Sequence, residues 1–217
     1  NTIKYLILLI IYLVCGVNLQ AQNYTFRNVV MSDGLSGLLV NAIYKDSEGF
    51  VWLGTDNCLD RFDGVKVRHY EFRGVDSGRK KRVNCITETA DNQLWVGNGI
   101  GLWRLNRANG QLERIVPEKI DFAVNTLLPD GDILYIGTEK GLFIQKDGQL
   151  LQVLTDRNML AACNRIMDLF LNEDKSALWL ATVQGLFSYS LKDGKIDSWH
   201  FQENVPEADY FRCLTRI

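Results

Sequence analysis

The chain contains two imidazoles, His69 and His200. Imidazole is the side chain that most readily serves as general base, nucleophile partner or metal ligand near neutral pH. Each falls in a stretch that reads as an outer β-strand, where a surface histidine is expected, and neither has the context of a phospho-accepting kinase histidine. The cysteines form no CxxC pair and no Cys/His cluster at zinc spacing, so no metal site and no cofactor is expected. Glycoside hydrolysis needs a pair of carboxylates, and the chain has many. Asp46, Asp91 and Asp130, however, recur along it. A residue needed once for catalysis should not recur, so these read as turn caps. No G-x-S-x-G elbow and no H-E-x-x-H is present. The run Gly97-Asn98-Gly99-Ile100-Gly101 has the look of a phosphate loop but falls between two strands rather than before a helix, which makes it a turn. No catalytic residue is assigned.

The same recurrence defines the elements that carry these residues. Val40-Asn41-Ala42-Ile43 returns as Val83-Asn84-Cys85-Ile86 and Val124-Asn125-Thr126-Leu127, and Asn164-Arg165-Ile166 reads as its fourth copy. A fifth opens at Phe211-Arg212-Cys213-Leu214. Within each whole repeat stands an aromatic anchor, Trp52, Trp95, Tyr135 or Trp179, at intervals of 43, 40 and 44 residues. Gly54, Gly97 and Gly137 follow two residues later, with Ala181 in the fourth copy. A period of this length marks a repeat architecture. The repeats span approximately 40–72, 83–116, 124–154 and 164–201, with a truncated one from 211.

Each repeat reads as four short strands. β-Branched and aromatic residues favour the extended stretches. Asp63-Gly64, Asn109-Gly110, Asp147-Gly148 and Asp193-Gly194 suit hairpin turns with positive φ at both central residues. One four-stranded antiparallel sheet cannot bury both faces, and radial stacking of about four to eight of them solves this. The expected fold is therefore all-β, a β-propeller, with the anchors between blades. A β-sandwich is the alternative, but a sandwich needs no equivalent repeats. The stretch 24–30 reads as a lone fourth strand. With four whole repeats and one cut short, the chain reads as part of a larger ring, with apolar surface exposed on its first and last blades.

Composition narrows the function classes. The formal net charge is −2, and no basic surplus recommends a nucleic-acid partner. Lys4 precedes an apolar run over 5–15, followed by Gly16 and Ala21, which reads as a signal peptide over 1–21. The run is short for a membrane span of about 20 residues, and an uncleaved anchor is the alternative. The chain starts at Asn1 rather than Met and so reads as a fragment. Residues 22–217 are then an exported domain. Export permits disulfides, but Cys85 and Cys213 occupy one position of two repeats, and Cys163 stands where other repeats carry Val. With Cys58 they read as small buried core residues.

The wording of the first repeat is more specific than its period. Ser32-Asp33-Gly34-Leu35-Ser36, followed by Val40 and the run Asn41-Ala42-Ile43-Tyr44-Lys45-Asp46-Ser47-Glu48-Gly49-Phe50-Val51-Trp52-Leu53-Gly54-Thr55, closely resembles the start of the two-component-regulator propeller family. The resemblance implies a seven-bladed ring in the periplasmic sensor region of a hybrid two-component system of Bacteroidetes. It further implies a membrane helix, a histidine kinase and a DNA-binding output downstream. Oligosaccharides released from glycans are the implied ligand, and a homodimer is left open. Cys58 departs from the pattern, standing where later repeats have Gly101, Gly141 and Gly185; if that position needs positive φ, Cys58 is strained.

Propellers usually bind small ligands on the face bearing the loops into each first strand and the turns between second and third. Here these are 73–82, 117–123 and 155–163, with turns 55–58, 98–101, 138–141 and 182–185. The cluster Arg79, Lys80 and Arg82, with Arg73 and Lys81 beside it, could meet an anionic sugar, although a solvated charge run also explains it. Two other functions stay open: an exported propeller lyase or glycosidase, and a protein-interaction scaffold.

Overall fold

Turn residues and β-branched runs fold each repeat into a four-stranded antiparallel sheet. The structure, a computed structural model, describes residues 3–5, 28–75, 81–115, 118–154, 165–199 and 211–214. The first blade comprises β1 (Val40–Lys45), β2 (Val51–Thr55), β3 (Leu59–Phe62) and β4 (Val67–Tyr70). The second comprises β5 (Val83–Glu88), β6 (Leu94–Asn98), β7 (Gly101–Asn106) and β8 (Gln111–Ile115). The third comprises β9 (Val124–Asp130), β10 (Ile133–Thr138), β11 (Gly141–Lys146) and β12 (Gln149–Gln152). The fourth comprises β13 (Ile166–Leu171), β14 (Ala177–Thr182), β15 (Gly185–Ser190) and β16 (Ile196–Trp199). In every sheet sequential strands are neighbours, and the first strands β1, β5, β9 and β13 contact one another in turn. They form the inner wall of a propeller arc.

The core lies between blades. Trp52, Leu59 and Tyr70 of the first blade pack with Val83, Ile86 and Trp103 of the second. Trp95 and Leu102 meet Leu134, Ile136 and Phe143 of the third. Tyr135 and Leu142 meet Ile166, Leu169 and Leu180 of the fourth. Trp179 differs: it is half-buried and its ring lies 4.8 Å from that of Trp199 in its own blade. The glycine two residues past each of the first three anchors is required by close approach. A Cβ on Gly97 would lie 2.5 Å from Val124 Cγ1, and one on Gly137 would lie 2.8 Å from Ile166 Cγ2. The first residue of the next inner strand rests on the glycine backbone.

A β-bulge recurs at the start of each inner strand. The register passes over Asn41, Asn84 and Met167 between paired neighbours, and Asn125 occupies the same place in β9. A bulge re-aims its side chain. Asn84 Nδ2 thereby donates to Val124 O at 2.9 Å, and Asn125 Nδ2 to Ile166 O at 2.8 Å. Asn84 and Asn125 are thus clamps between blades.

Several expectations from sequence need correction. The fourth repeat is shifted: Ile166, not Asn164, begins the inner-strand motif, because Ile166 pairs with Thr182 as Val83 pairs with Asn98. Asp91 is not the counterpart of Asp46. Asp46 N and Thr89 N donate to equivalent carbonyls, Phe50 O and Gln93 O, so Thr89 holds that position and Asp91 lies further along the turn. Of the four turn dipeptides, only Asp147-Gly148 has both φ positive, at 50° and 74°. It joins strands paired at Lys146 and Gln149, a two-residue loop, whereas the other turns are longer and only their glycines are left-handed. Cys58 is absent from the left-handed region, so it is not strained. Residues 28–30 are not strand, and residues 31–33 form a 3-10 turn closed by Gly34 at φ 98°. Residues 24–27 of the expected lone strand lie outside the described residues, as does the expected signal peptide except residues 3–5, which are helical. Cys213 is exposed rather than core; Cys163 and His200 lie outside the described residues.

Candidate functional site

The densest polar cluster is built on the first blade. Asp60 of β3 occupies the position that Trp103, Phe143 and Phe187 hold in later blades, each paired across to the second strand. An aspartate there cannot join an apolar interface and must find donors. It is fully buried and has four. Ser36 N and Ser36 Oγ donate to Oδ2 at 2.8 and 2.7 Å. Cys58 Sγ donates to Oδ1 at 3.3 Å, and His69 Nδ1, directly across on β4, lies 2.7 Å from the same oxygen. Cys58, Asp60 and His69 thus present sulfur, oxygen and nitrogen within 4.8 Å of one another.

Local structure explains the convergence. Cys58 and Asp60 are two apart on an extended segment and share one face of the sheet, and His69 joins that face by register. Leu35, buried, brings the Ser36 backbone over the cluster. Burial is the main cause that pushes the Cys58 thiol up to about 11, with the Asp60 charge adding to it and the Ser36 hydrogen bond opposing it. Ser36 Oγ bonds the carboxylate rather than the imidazole, so no histidine base stands ready to take its proton. The arrangement suits hydrogen bonding or cation coordination, not acyl transfer. The sequence shows no Cys/His cluster at zinc spacing, and these three groups meet only through the fold, as a Cys-x-Asp pair facing a histidine across a hairpin.

On the face expected to bind ligand, leading loops and turns lie together. The loop before each inner strand lies against the turn of its own blade: Gly99 N donates to Arg82 O, Glu139 N to Ala123 O and Val183 N to Arg165 O. On this face Asn41 Nδ2 donates to Asp56 Oδ1 at 2.9 Å, and Arg82 Nε lies 4.0 Å from the same oxygen. Arg82 is more than half exposed, so that pair contributes little stability. Lys140 lies over the Phe122 ring, 4.4 Å from its centroid. Arg79 and Lys80 lie outside the described residues, so of the three basic candidates only Arg82 has a place on the surface. The loop 155–163 lies outside them too. A groove of about 330 Å³ that sequence reasoning missed runs along the outer strand of the first blade, lined by Arg68, His69, Arg73, Gly110 and Gln111 among others.

The stacked four-stranded sheets, with cores between them and an inner wall of first strands, make this chain a β-propeller segment. Within that class, residues 34–57 match the family model described as two component regulator propeller. The match covers β1, β2 and the Ser36 segment that Asp60 holds. Histidine kinase P4 of Formosa agariphila is 32% identical over 71 residues, which is 33% of this chain and 5% of that protein. The extracellular domain of one hybrid two component system of B. thetaiotaomicron superposes with TM-score 0.68 at 20% identity, over 81% of this chain and 26% of that one. Another superposes with TM-score 0.62 at 26% identity, over 77% and 23%. A catalytically inactive virginiamycin B lyase from Staphylococcus aureus shares the fold at TM-score 0.63 and 15% identity. The chain therefore spans about a quarter of the solved extracellular domains and a small part of the kinase. Among the described residues no helix is long and apolar enough to cross a membrane.

Proposed function

We propose that this chain is part of the periplasmic sensor propeller of a hybrid two-component receptor. In this reading it binds glycan-derived oligosaccharides and passes the event across the inner membrane to a histidine kinase with a transcriptional output. The observation that carries the reading is the match of residues 34–57 to the two component regulator propeller, supported by the likeness to extracellular domains of such systems at 26% identity. The ligand contacts the face formed by the leading loops and the β2–β3, β6–β7 and β10–β11 turns, where Arg82 and Lys140 offer cations and Asn57 lies exposed at a turn. Binding shifts an existing equilibrium between receptor arrangements, by no more than the ligand's differential affinity for them.

A thermal-shift screen of the complete ectodomain against neutral and anionic oligosaccharides tests this. A fragment that binds only the native state at about 100 times its Kd adds about 2.7 kcal/mol, a rise readable as a higher Tm. Arg82→Ala should weaken anionic fragments selectively. If no oligosaccharide raises Tm, the ligand class is wrong; if the Arg82 variant binds unchanged, the face is wrong.

A further inference from the structure

From the convergence of Cys58 Sγ, Asp60 Oδ1 and His69 Nδ1 we infer that the first blade holds a site for one Zn²⁺ or similar borderline-soft divalent cation, with water completing a tetrahedral shell. All three ligand atoms lie within 4.8 Å of one another. Two of the three separations, 3.3 Å from sulfur and 2.7 Å from nitrogen to the shared oxygen, are near the edges of a coordination tetrahedron. Zinc bonds of about 2.3 Å to sulfur and about 2.0 to 2.2 Å to nitrogen and oxygen require the sulfur–oxygen edge to open by about 0.3 Å and the nitrogen–oxygen edge by about 0.6 Å, the latter by rotation of the half-exposed His69 ring. The mixed thiolate, imidazole and carboxylate set favours zinc over calcium or magnesium, which prefer oxygen alone.

Two features make this more than a chance meeting of side chains. Both groups that now donate to Oδ1 would exchange a hydrogen for the metal. Cys58 would release its thiol proton to solvent, and neutral His69 would carry its proton on Nε2, leaving Nδ1 free to coordinate. The other oxygen, Oδ2, keeps both hydrogen bonds from Ser36. Such outer hydrogen bonds orient a ligating carboxylate, and their loss typically costs about 10–100-fold in metal affinity. The His69 side chain is 47% exposed while Asp60 is fully buried, so the site has a solvent side for ion and water to enter and a fixed floor. Binding would also tie the Ser36 segment, through Asp60, to two strands of the blade.

The test is titration of the purified chelator-treated chain with Zn²⁺ by calorimetry and with Co²⁺ by absorbance. One equivalent should bind with a thiolate-to-cobalt charge-transfer band. His69→Gln, at a half-exposed position that should not impair folding, and Cys58→Ser should each weaken binding at least tenfold, and Cys58→Ser should abolish the band. Ser36→Ala should weaken it by about tenfold or more. Cys213→Ser, at an exposed thiol outside the cluster, should change nothing. Circular dichroism confirms that each variant is folded; should Cys58→Ser unfold, His69→Gln alone decides. No cobalt–thiolate band, unchanged affinity in His69→Gln, or loss of binding in Cys213→Ser overturns the inference.

Discussion

Trp52 and Trp95 hold the same place in successive blades, yet their indole N–H groups find different acceptors. Trp52 Nε1 donates to the buried Asp46 carboxylate at 2.8 Å, and Trp95 Nε1 to the Thr89 hydroxyl at 3.1 Å. Removing a donor from a buried charged acceptor costs more than removing one from a hydroxyl that keeps its other partners, and Thr89 Oγ1 still bonds Asp91. Both Trp→Phe changes lose the same volume, so their difference isolates the hydrogen bond. Trp52→Phe should lower stability by about 1–3 kcal/mol more than Trp95→Phe, measured as the gap between urea-unfolding free energies; equal losses would show that Asp46 re-pairs freely. A second residue-scale contrast concerns glycine. Gly97→Ala would place a Cβ 2.5 Å from both Cys85 Sγ and Val124 Cγ1, an overpacking cost of about 1–3 kcal/mol. Val124→Ala in the same chain should recover part of that loss. Gly49, with φ +92° and nothing within 4 Å of a Cβ, should suffer from alanine through backbone strain alone and show no such rescue.

Turns decide how one blade grips the next, and here the sequence was less informative. Arg107, in the β7–β8 turn, reaches back to the first blade and to its own inner strand. Its Nη2 lies 2.7 Å from Glu88 Oε1, its Nη1 3.0 Å from Glu48 Oε1, and its Nε donates to Asn92 O. Glu88 also accepts from Ser47 N and Oγ across the blade boundary. With Glu88 nearly buried and Arg107 partly exposed, Arg107→Ala should cost about 2 kcal/mol, below the 3–5 kcal/mol of a fully buried pair. In a double-mutant cycle with Ser47→Ala the two losses should fail to add by about 0.5 kcal/mol or more, because both groups share Glu88 Oε1. Additive losses would mean that the turn does not couple the blades. Nothing in the spacing of Arg107 announced this, since it stands in no repeated position. The strands themselves were legible: anchors, glycines and turn dipeptides gave four strands per repeat. In the fourth repeat Met167 stands at the bulge where the others have asparagine, so the nearest asparagine, Asn164, marks a start that is too early in the chain. The Cys58, Asp60 and His69 cluster was illegible for a related reason. Its members are neighbours only through hairpin register, and linear motifs do not record cross-strand pairs.

At the scale of the whole molecule, equivalence in the repeat no longer means equivalence in environment. Ile43, Ile86 and Leu169 pair with Leu53, Val96 and Leu180 in the same register. Ile86 and Leu169 are 9% and 5% exposed, but Ile43 is 71% exposed, and Leu38, Leu39 and Val40 beside it are exposed as well. The position is apolar in every blade because each inner strand is built to receive a neighbour, and β1 meets one only on its β5 side among the described residues. Contiguous apolar surface of this kind favours association. Ile43→Lys should therefore change the unfolding free energy by less than about 0.5 kcal/mol, the range of ordinary surface substitutions, while reducing binding of an apolar dye and concentration-dependent association in sedimentation. Ile86→Lys places a charge in the core between the first two blades and should cost about 3 kcal/mol or more. The two substitutions are identical in chemistry and in repeat position, so a large loss for Ile43→Lys would show that β1 is covered in solution, by another copy or by a segment outside the described residues.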